Sequence, residues 1–117
     1  MVDQSVIEIA QRYLSRLQAS GLPVVRAILF GSRARGVATE ESDIDILLLS
    51  PTFERPTWRQ EALAWEIARS VDWRIEPVLC GESAYERNDW HPLIVIAKQD
   101  GLEIRADNEV PGTGRSV

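Results

Sequence analysis

Residues 29–36 read LFGSRARG and residues 42–47 read SDIDIL, and these two stretches decide the fold around the candidate site. The first ends an apolar run, residues 24–30, whose β-branched side chains predict a buried strand. Gly31 breaks that strand, and residues 31–42 predict a polar turn in which a short helix begins at Ser32. The second stretch opens another strand, residues 43–50, which is polar at its first residues and apolar afterwards.

Helical and strand patterns alternate along the rest of the chain. Apolar residues at helical spacing predict a first helix that Asp3 caps and Gly21 ends. A second long helix is predicted over residues 57–70, with Thr57 as its N-cap. Its inward face is expected to hold four apolar side chains: Trp58, Ala62, Trp65 and Ala68.

Residues 73–80 predict a third strand, in which Pro77 should lie at an edge or at an irregular point of the ladder because proline lacks an N–H group. A final helix is predicted over residues 89–99 and a short strand over residues 102–105. The alternation indicates an α/β fold, a sheet with helices packed on it. We expect one domain over residues 1–105 and a loose tail over residues 106–117.

Composition and charge limit the possible functions. The 117 residues fit one domain, and the net charge of −5 argues against direct nucleic-acid binding, which relies on clustered Lys and Arg. The single cysteine excludes an internal disulfide, and no apolar run is long enough to span a membrane. We therefore expect a cytoplasmic protein with no membrane contact.

The glycine turn is a candidate phosphate site. Glycine lets the backbone turn closely, and the amides that follow it can bind an anion. Ser32 adds a hydroxyl group, while Arg33 and Arg35 add positive charge that suits phosphate oxygens. Taken alone, this stretch is more often an ordinary turn with solvated arginines.

The acidic pair strengthens the functional interpretation. Asp43 and Asp45 lie two residues apart at the start of a strand, so their side chains share one face. Two carboxylates at one point repel each other unless a cation lies between them, and oxygen ligands of this kind suit Mg²⁺. Ten residues separate Ser32 from Asp43, and this fixed spacing makes the combination more specific than either motif.

With this spacing, Gly31-Ser32 and Asp43-x-Asp45 together resemble the signature of the polymerase-beta nucleotidyltransferase superfamily. The small size and the GSRARG form are similar to its minimal nucleotidyltransferase branch. The resemblance implies a small mixed sheet flanked by helices and transfer of a nucleoside monophosphate from an NTP, with ATP as the expected donor. It also implies two Mg²⁺ ions and Gly31, Ser32, Arg33 and Arg35 as the nucleotide-binding residues.

A third carboxylate is needed to complete such a site, and two residues are candidates. Glu76 is an isolated charge inside the apolar run of residues 73–80, and we expect it to join Asp43 and Asp45 as a catalytic residue and metal ligand. Asp72 is the alternative, because residues 72, 74 and 76 share one face of an extended chain.

Three possibilities stay open for the function, and the first two differ in the acceptor of the nucleotide. The resemblance implies a HEPN-type RNase toxin as partner, which the transferase silences as an antitoxin by adding AMP to a hydroxyl group. The second possibility is transfer to a small molecule of the aminoglycoside type, which normally needs an extra helical domain. The third is an antitoxin or scaffold that acts by binding alone.

Overall fold

A mixed sheet of four strands forms the centre of the protein in the computed structural model, which describes residues 2–87 and 91–106. In chain order the elements are α1 (Gln4–Ala19), β1 (Arg26–Phe30), α2 (Ser32–Arg35), β2 (Ile44–Ser50), a 3₁₀ turn (Pro51–Glu54), α3 (Trp58–Val71), β3 (Ile75–Gly81), α4 (Glu82–Arg87), α5 (Pro92–Asp100) and β4 (Leu102–Ile104).

The strand order is β3-β2-β1-β4. β1 pairs antiparallel with both β2 and β4, whereas β2 and β3 run parallel and are joined by the crossover helix α3. Pro77 lies in the edge strand β3, which confirms the predicted edge position. Its missing N–H therefore interrupts no hydrogen bonding between the central strands. The predicted fold class, an α/β fold with a small mixed sheet flanked by helices, is confirmed.

β2 is buried on both faces, and this explains its continuous apolar run. Ile44, Ile46 and Leu48 pack into one core with side chains of α1 and α3. Leu47 and Leu49 face the opposite way, into a smaller core with Tyr85 of α4 and the apolar residues of α5. The sheet is therefore covered by helices on both sides, except near its ends.

The helix caps follow the sequence. The Asp3 side chain accepts a hydrogen bond from the Ser5 amide at the start of α1, and Thr57 forms a reciprocal capping box with Gln60 at the start of α3. His91 Nδ1 accepts from the Leu93 amide and caps α5. None of the helices among the described residues is long and apolar enough to cross a membrane.

The predicted inward face of α3 is wrong in part. Ala68 is buried, but Trp58 is 74% exposed, Ala62 is also exposed, and Trp65 is half-buried. The buried face is instead built on Ala64 and Ala68, and the Tyr13 hydroxyl donates to the Ala64 carbonyl at 2.8 Å. Small side chains allow the helix backbone to approach α1 this closely.

Other differences are smaller. The sequence patterns gave no prediction of α4 or of the 3₁₀ turn, which are both too short for a periodic signal. The last helix was predicted to begin at residue 89, but residues 88–90 lie outside the described residues and α5 begins at Pro92. Of the predicted loose tail, Ala106 is buried in the larger core, and residues 107–117 lie outside the described residues.

Shortening a buried side chain of β2 tests how much the burial of this strand contributes to stability. Leu48 is fully buried, so Leu48→Ala should lower the free energy of unfolding by about 2–5 kcal/mol through lost burial and a cavity. Leu102→Ala, in the edge strand β4 at a side chain that is 37% exposed, is the matched control and should cost less than about 1 kcal/mol. Urea unfolding followed by circular dichroism measures both, and similar losses would contradict the central burial of β2.

Candidate active site

Three chain segments meet at one edge of the sheet. β2 and β3 are parallel, so both begin at this edge, and antiparallel β1 ends there. Asp43 and Asp45 lie at the start of β2, Glu76 lies near the start of β3, and Gly31 follows the end of β1. The predicted motifs, which are far apart in sequence, are therefore brought together by the strand directions.

Asp45 lies at the centre of this arrangement. In the strand register it is the partner of Glu76 on one side and of Phe30 on the other. Burial raises the pKa of Asp45, and the negative charges of Asp43 and Glu76 raise it further. The negative charges of the other two predicted carboxylates therefore both act on Asp45.

Gly31 is required where it stands. Its φ of 77° and ψ of −155° belong to a region that glycine alone occupies without strain. A Cβ atom built on Gly31 would lie 2.5 Å from Asp45 Oδ2, closer than any real contact of this kind. The missing side chain thus lets the backbone of the turn lie directly against the Asp45 carboxylate.

α2 follows Gly31 and carries the other predicted nucleotide-binding residues. Gly31 is its N-cap, and the first amides of a helix have no acceptor within that helix. Ser32, the first residue of α2, is partly exposed, and Arg35 is exposed. Both side chains can therefore reach a ligand at the sheet edge.

Arg33 is placed differently from the other predicted binding residues. It is only 7% exposed, and its Nη2 donates to the Ser42 carbonyl at 2.9 Å and to the Glu40 carbonyl at 3.2 Å. Its Nε is buried without a hydrogen-bond partner among the described residues. This placement favours Arg33 as the residue that fixes the loop before Asp43, and its predicted phosphate contact stays a prediction.

Arg74 secures the same loop from the other side. Its Nη1 donates to the Glu40 carbonyl at 3.1 Å, and the Ile44 amide donates to the Arg74 carbonyl at 2.9 Å. Two arginines from different elements thus share one carbonyl of the loop. Both contacts lie within a few residues of Asp43 and fix where β2 begins.

Asp72, the alternative third acid, is occupied by this arginine. Its two carboxylate oxygens accept from Arg74 Nε and Nη2, each at 2.9 Å. These hydrogen bonds, together with one from the Arg74 amide, lower the pKa of Asp72 despite its partial burial. Of the two candidates, Glu76 is the one that lies beside Asp45.

Glu76 has a cationic neighbour that the sequence patterns did not indicate. Arg69 Nη2 lies 3.8 Å from Glu76 Oε2 and also donates to the Ile75 carbonyl at 2.9 Å. Among residues 2–87 and 91–106, no group of three His, Cys, Asp or Glu side chains is arranged to hold a metal ion. The oxygen donors suit Mg²⁺, but Glu76 is paired with Arg69 and does not form such a group with the two aspartates.

Sequence reasoning missed Arg69, Arg74 and the Glu40 carbonyl. An arginine two residues after Asp72 is a local signal for an ion pair, so Arg74 could have been found. Arg69 belongs to a helix, and only the crossover connection brings it beside Glu76. A backbone carbonyl such as that of Glu40 leaves no trace in a sequence.

A glycine turn set against paired carboxylates at one edge of an α/β sheet is typical of enzymes that transfer phosphate-bearing groups. Residues 7–96 match the profile of the nucleotidyltransferase domain, which covers most of the chain. The protein therefore belongs to the nucleotidyltransferase domain family. Proteins of this family transfer nucleoside monophosphates in general.

Solved structures show the same fold. A crystal structure from Sulfolobus solfataricus, described as that of a "putative nucleotidyltransferase", superposes with a TM-score of 0.60. The match covers 85% of this chain and 78% of the other, at 19% sequence identity, so it supports the fold alone. No protein of curated function matches the sequence significantly.

Two glycines allow the contact between Gly31 and Asp45 to be tested. Gly31 and Gly21 both have positive φ angles, of 77° and 91°, but a Cβ atom on Gly21 would meet nothing within 4 Å. Gly21→Ala should therefore cost only backbone strain, about 1–2 kcal/mol. Gly31→Ala should cost more, because its backbone lies in a region that only glycine occupies without strain and its methyl group also displaces the Asp45 carboxylate. Thermal and urea unfolding compare the two, and equal losses would show that the close approach is absent.

Proposed function

We propose that this domain transfers AMP from ATP to a hydroxyl group on a partner protein, in a reaction that depends on Mg²⁺. The observation that carries the proposal is that Asp45, two residues after Asp43, is the strand partner of Glu76 and lies against the Gly31 turn at one edge of the sheet. This juxtaposition puts acidic donors next to backbone amides that suit phosphate oxygens.

The nucleotide-binding roles follow from exposure. The amides after Gly31 and the Ser32 hydroxyl group, at the start of α2, are the proposed donors to phosphate oxygens. Arg35 is exposed and can pair with the outer phosphates, whereas Arg33 is buried and holds the loop that carries Asp43. Binding and positioning are thus divided between two arginines of one short helix.

Asp43, Asp45 and Glu76 are the proposed Mg²⁺ ligands. When bound, Mg²⁺ neutralises charge on the phosphates. The repulsion of Asp45 by the charges of Asp43 and Glu76 supports this role, because a bound cation would relieve it.

Glu76 is the proposed general base. The oxygen of the acceptor hydroxyl forms a bond to the α-phosphorus of ATP, and the bond from that phosphorus to the bridging oxygen breaks. Pyrophosphate leaves, and Glu76 takes the proton of the hydroxyl group. Its place beside Asp45 puts the base next to the residues that hold the nucleotide.

A separate protein is the proposed acceptor. In the described part of the chain, all five helices and four strands belong to the single sheet and its two helical layers, and none forms a second domain for a substrate. The family resemblance suggests a HEPN-type RNase toxin as the partner, which this protein would silence as its antitoxin.

A binding role without turnover is the second candidate. It is favoured by the ion pair between Glu76 and Arg69, which occupies the proposed base. The two candidates differ in whether a covalent nucleotide accumulates on the partner.

The experiment uses ATP labelled at the α-phosphate, Mg²⁺ and a purified HEPN-type RNase as the proposed partner. We expect the partner to gain the mass of one AMP group. Glu76→Gln should slow this gain by about 10² or more while ATP binding persists, because the charge of the base is lost. Asp43→Asn with Asp45→Asn should abolish Mg²⁺-dependent ATP binding in calorimetry.

Glu8→Gln, an exposed change on α1, is the matched control and should leave the rate unchanged. A partner that is bound but never modified would support the second candidate. Transfer by Glu76→Gln at the wild-type rate would remove Glu76 from the mechanism.

The two arginines of α2 give a separate prediction. Arg35→Ala should weaken binding of ATP more than binding of AMP, because only ATP carries outer phosphates, and it should leave stability unchanged. Arg33→Ala should weaken binding of both nucleotides by a similar factor and lower stability by about 1–3 kcal/mol, because the Ser42 carbonyl loses its donor and the Glu40 carbonyl keeps only Arg74. Calorimetry and urea unfolding separate the two variants. If Arg33→Ala weakened the binding of ATP alone, this result would support the predicted contact between Arg33 and a phosphate.

A further inference from the structure

The outer face of α3 carries an apolar stripe that nothing in the described part of the chain covers. Its apolar residues, Trp58, Ala62 and Trp65, lie in one row on the helix, and Arg69 extends this row toward the end of the helix. Trp58 is 74% exposed, Trp65 is half-buried, and Trp73, just beyond the helix, is 66% exposed. We call these four helical residues the α3 stripe.

α3 is apolar on two opposite faces. The inner face packs on the sheet and on α1 through the small side chains of Ala64 and Ala68, whereas the outer face carries the large tryptophans. An ordinary surface helix has one apolar face and one polar face, and a helix that is apolar on both faces is normally covered on both. Tryptophan is also the side chain most enriched at the centres of protein interfaces. The α3 stripe therefore has the character of an interface.

We propose that the α3 stripe binds the same stripe of a second copy of this chain, with the two helices antiparallel about a two-fold axis. In such an interface the same surface is used twice, so it must be complementary to itself. The proposal concerns assembly and does not depend on the proposed reaction.

The side chains of the α3 stripe meet this condition in size. A two-fold axis midway between Ala62 and Trp65 places Ala62 opposite Trp65 of the second copy, so that each large ring meets a small side chain. The same axis places Trp58 opposite Arg69 of the second copy. A guanidinium group over an indole ring is a favourable contact, and Arg69 already lies 5.1 Å from the Trp65 ring centre within one chain.

The charges beside the α3 stripe are also self-complementary. Arg59 and Glu66 are exposed and lie two helical turns apart on the same flank. In the antiparallel pair, Arg59 lies within one turn of Glu66 of the second copy, and this contact occurs twice. Within residues 2–87 and 91–106, Arg59 contacts the Trp58 ring, and neither residue forms an ion pair.

The C-terminal residues 107–117 offer no better occupant. Residues 107–117 contain two valines and one proline as their bulky apolar residues, which are too few to cover several tryptophans. A parallel pair of helices would set each tryptophan level with its own copy, so that large ring would meet large ring and the match of sizes would be lost. A second copy in the antiparallel orientation fits both the sizes and the charges.

Sedimentation velocity over a range of concentrations measures the assembly. The wild-type protein should form a dimer, and Ala62→Glu should disperse it, because a charge would face the Trp65 ring. Arg59→Glu and Glu66→Arg should each weaken the dimer at least about tenfold, because each places like charges together twice.

An equal mixture of the Arg59→Glu and Glu66→Arg proteins gives the decisive result. In a mixed dimer each reversed residue faces its opposite charge, so dimers of mixed composition should form at the wild-type strength. Native mass spectrometry identifies them. Failure of the mixture to dimerise more strongly than either variant alone would overturn the antiparallel arrangement.

Controls on α1 separate this arrangement from a general charge effect. Arg12→Glu and Glu8→Arg make the same changes in net charge at exposed positions away from the α3 stripe and should leave the dimer intact. Circular dichroism checks that every variant is folded. A wild-type protein that stays monomeric, a dimer that Ala62→Glu leaves unchanged, or a dimer that the α1 controls also disperse would each overturn the proposal.

Discussion

The burial of β2 on both faces is the constraint on which the candidate site depends. Because Ile44, Ile46 and Leu48 pack on one side while Leu47 and Leu49 pack on the other, the strand cannot shift its register without exposing apolar side chains. That fixed register sets Asp45 opposite both Phe30 and Glu76. The acidic residues are thus the polar beginning of a strand whose apolar remainder holds them in place.

Hydrogen bonds to the loop before β2 also fix the position of the acidic residues. Arg33 and Arg74 both donate to the Glu40 carbonyl, and Asp72 in turn holds Arg74 through two oxygens. Burying an arginine is unfavourable unless its donors find acceptors, and backbone carbonyls supply them without adding negative charge near the acidic site. The loop is therefore fixed by cations that leave the carboxylates of Asp43 and Asp45 free for a ligand.

Much of this arrangement follows from the sequence. The glycine turn, the strands on either side of it and the edge position of Pro77 depend on local rules of backbone geometry, so the patterns predicted them. The role of Arg33 could not be predicted in this way. A sequence shows the charge of an arginine but not whether its guanidinium group faces a phosphate or a backbone carbonyl. The contact of Arg69 with Glu76 also depends on how the crossover helix lies on the sheet.

α3 shows why the periodicity of a sequence can select the wrong face. Its apolar residues satisfy helical spacing twice, once through Trp58, Ala62 and Trp65 and once through Ala64 and Ala68. Side-chain size favours the tryptophans as core, but the buried Tyr13 hydroxyl group needs an acceptor and finds the Ala64 carbonyl, which only a close approach allows. The alanines therefore face the core, and the tryptophans remain outside. Arg69 contacts both Trp65 and Glu76, so one side chain joins this outer face to the acidic edge of the sheet.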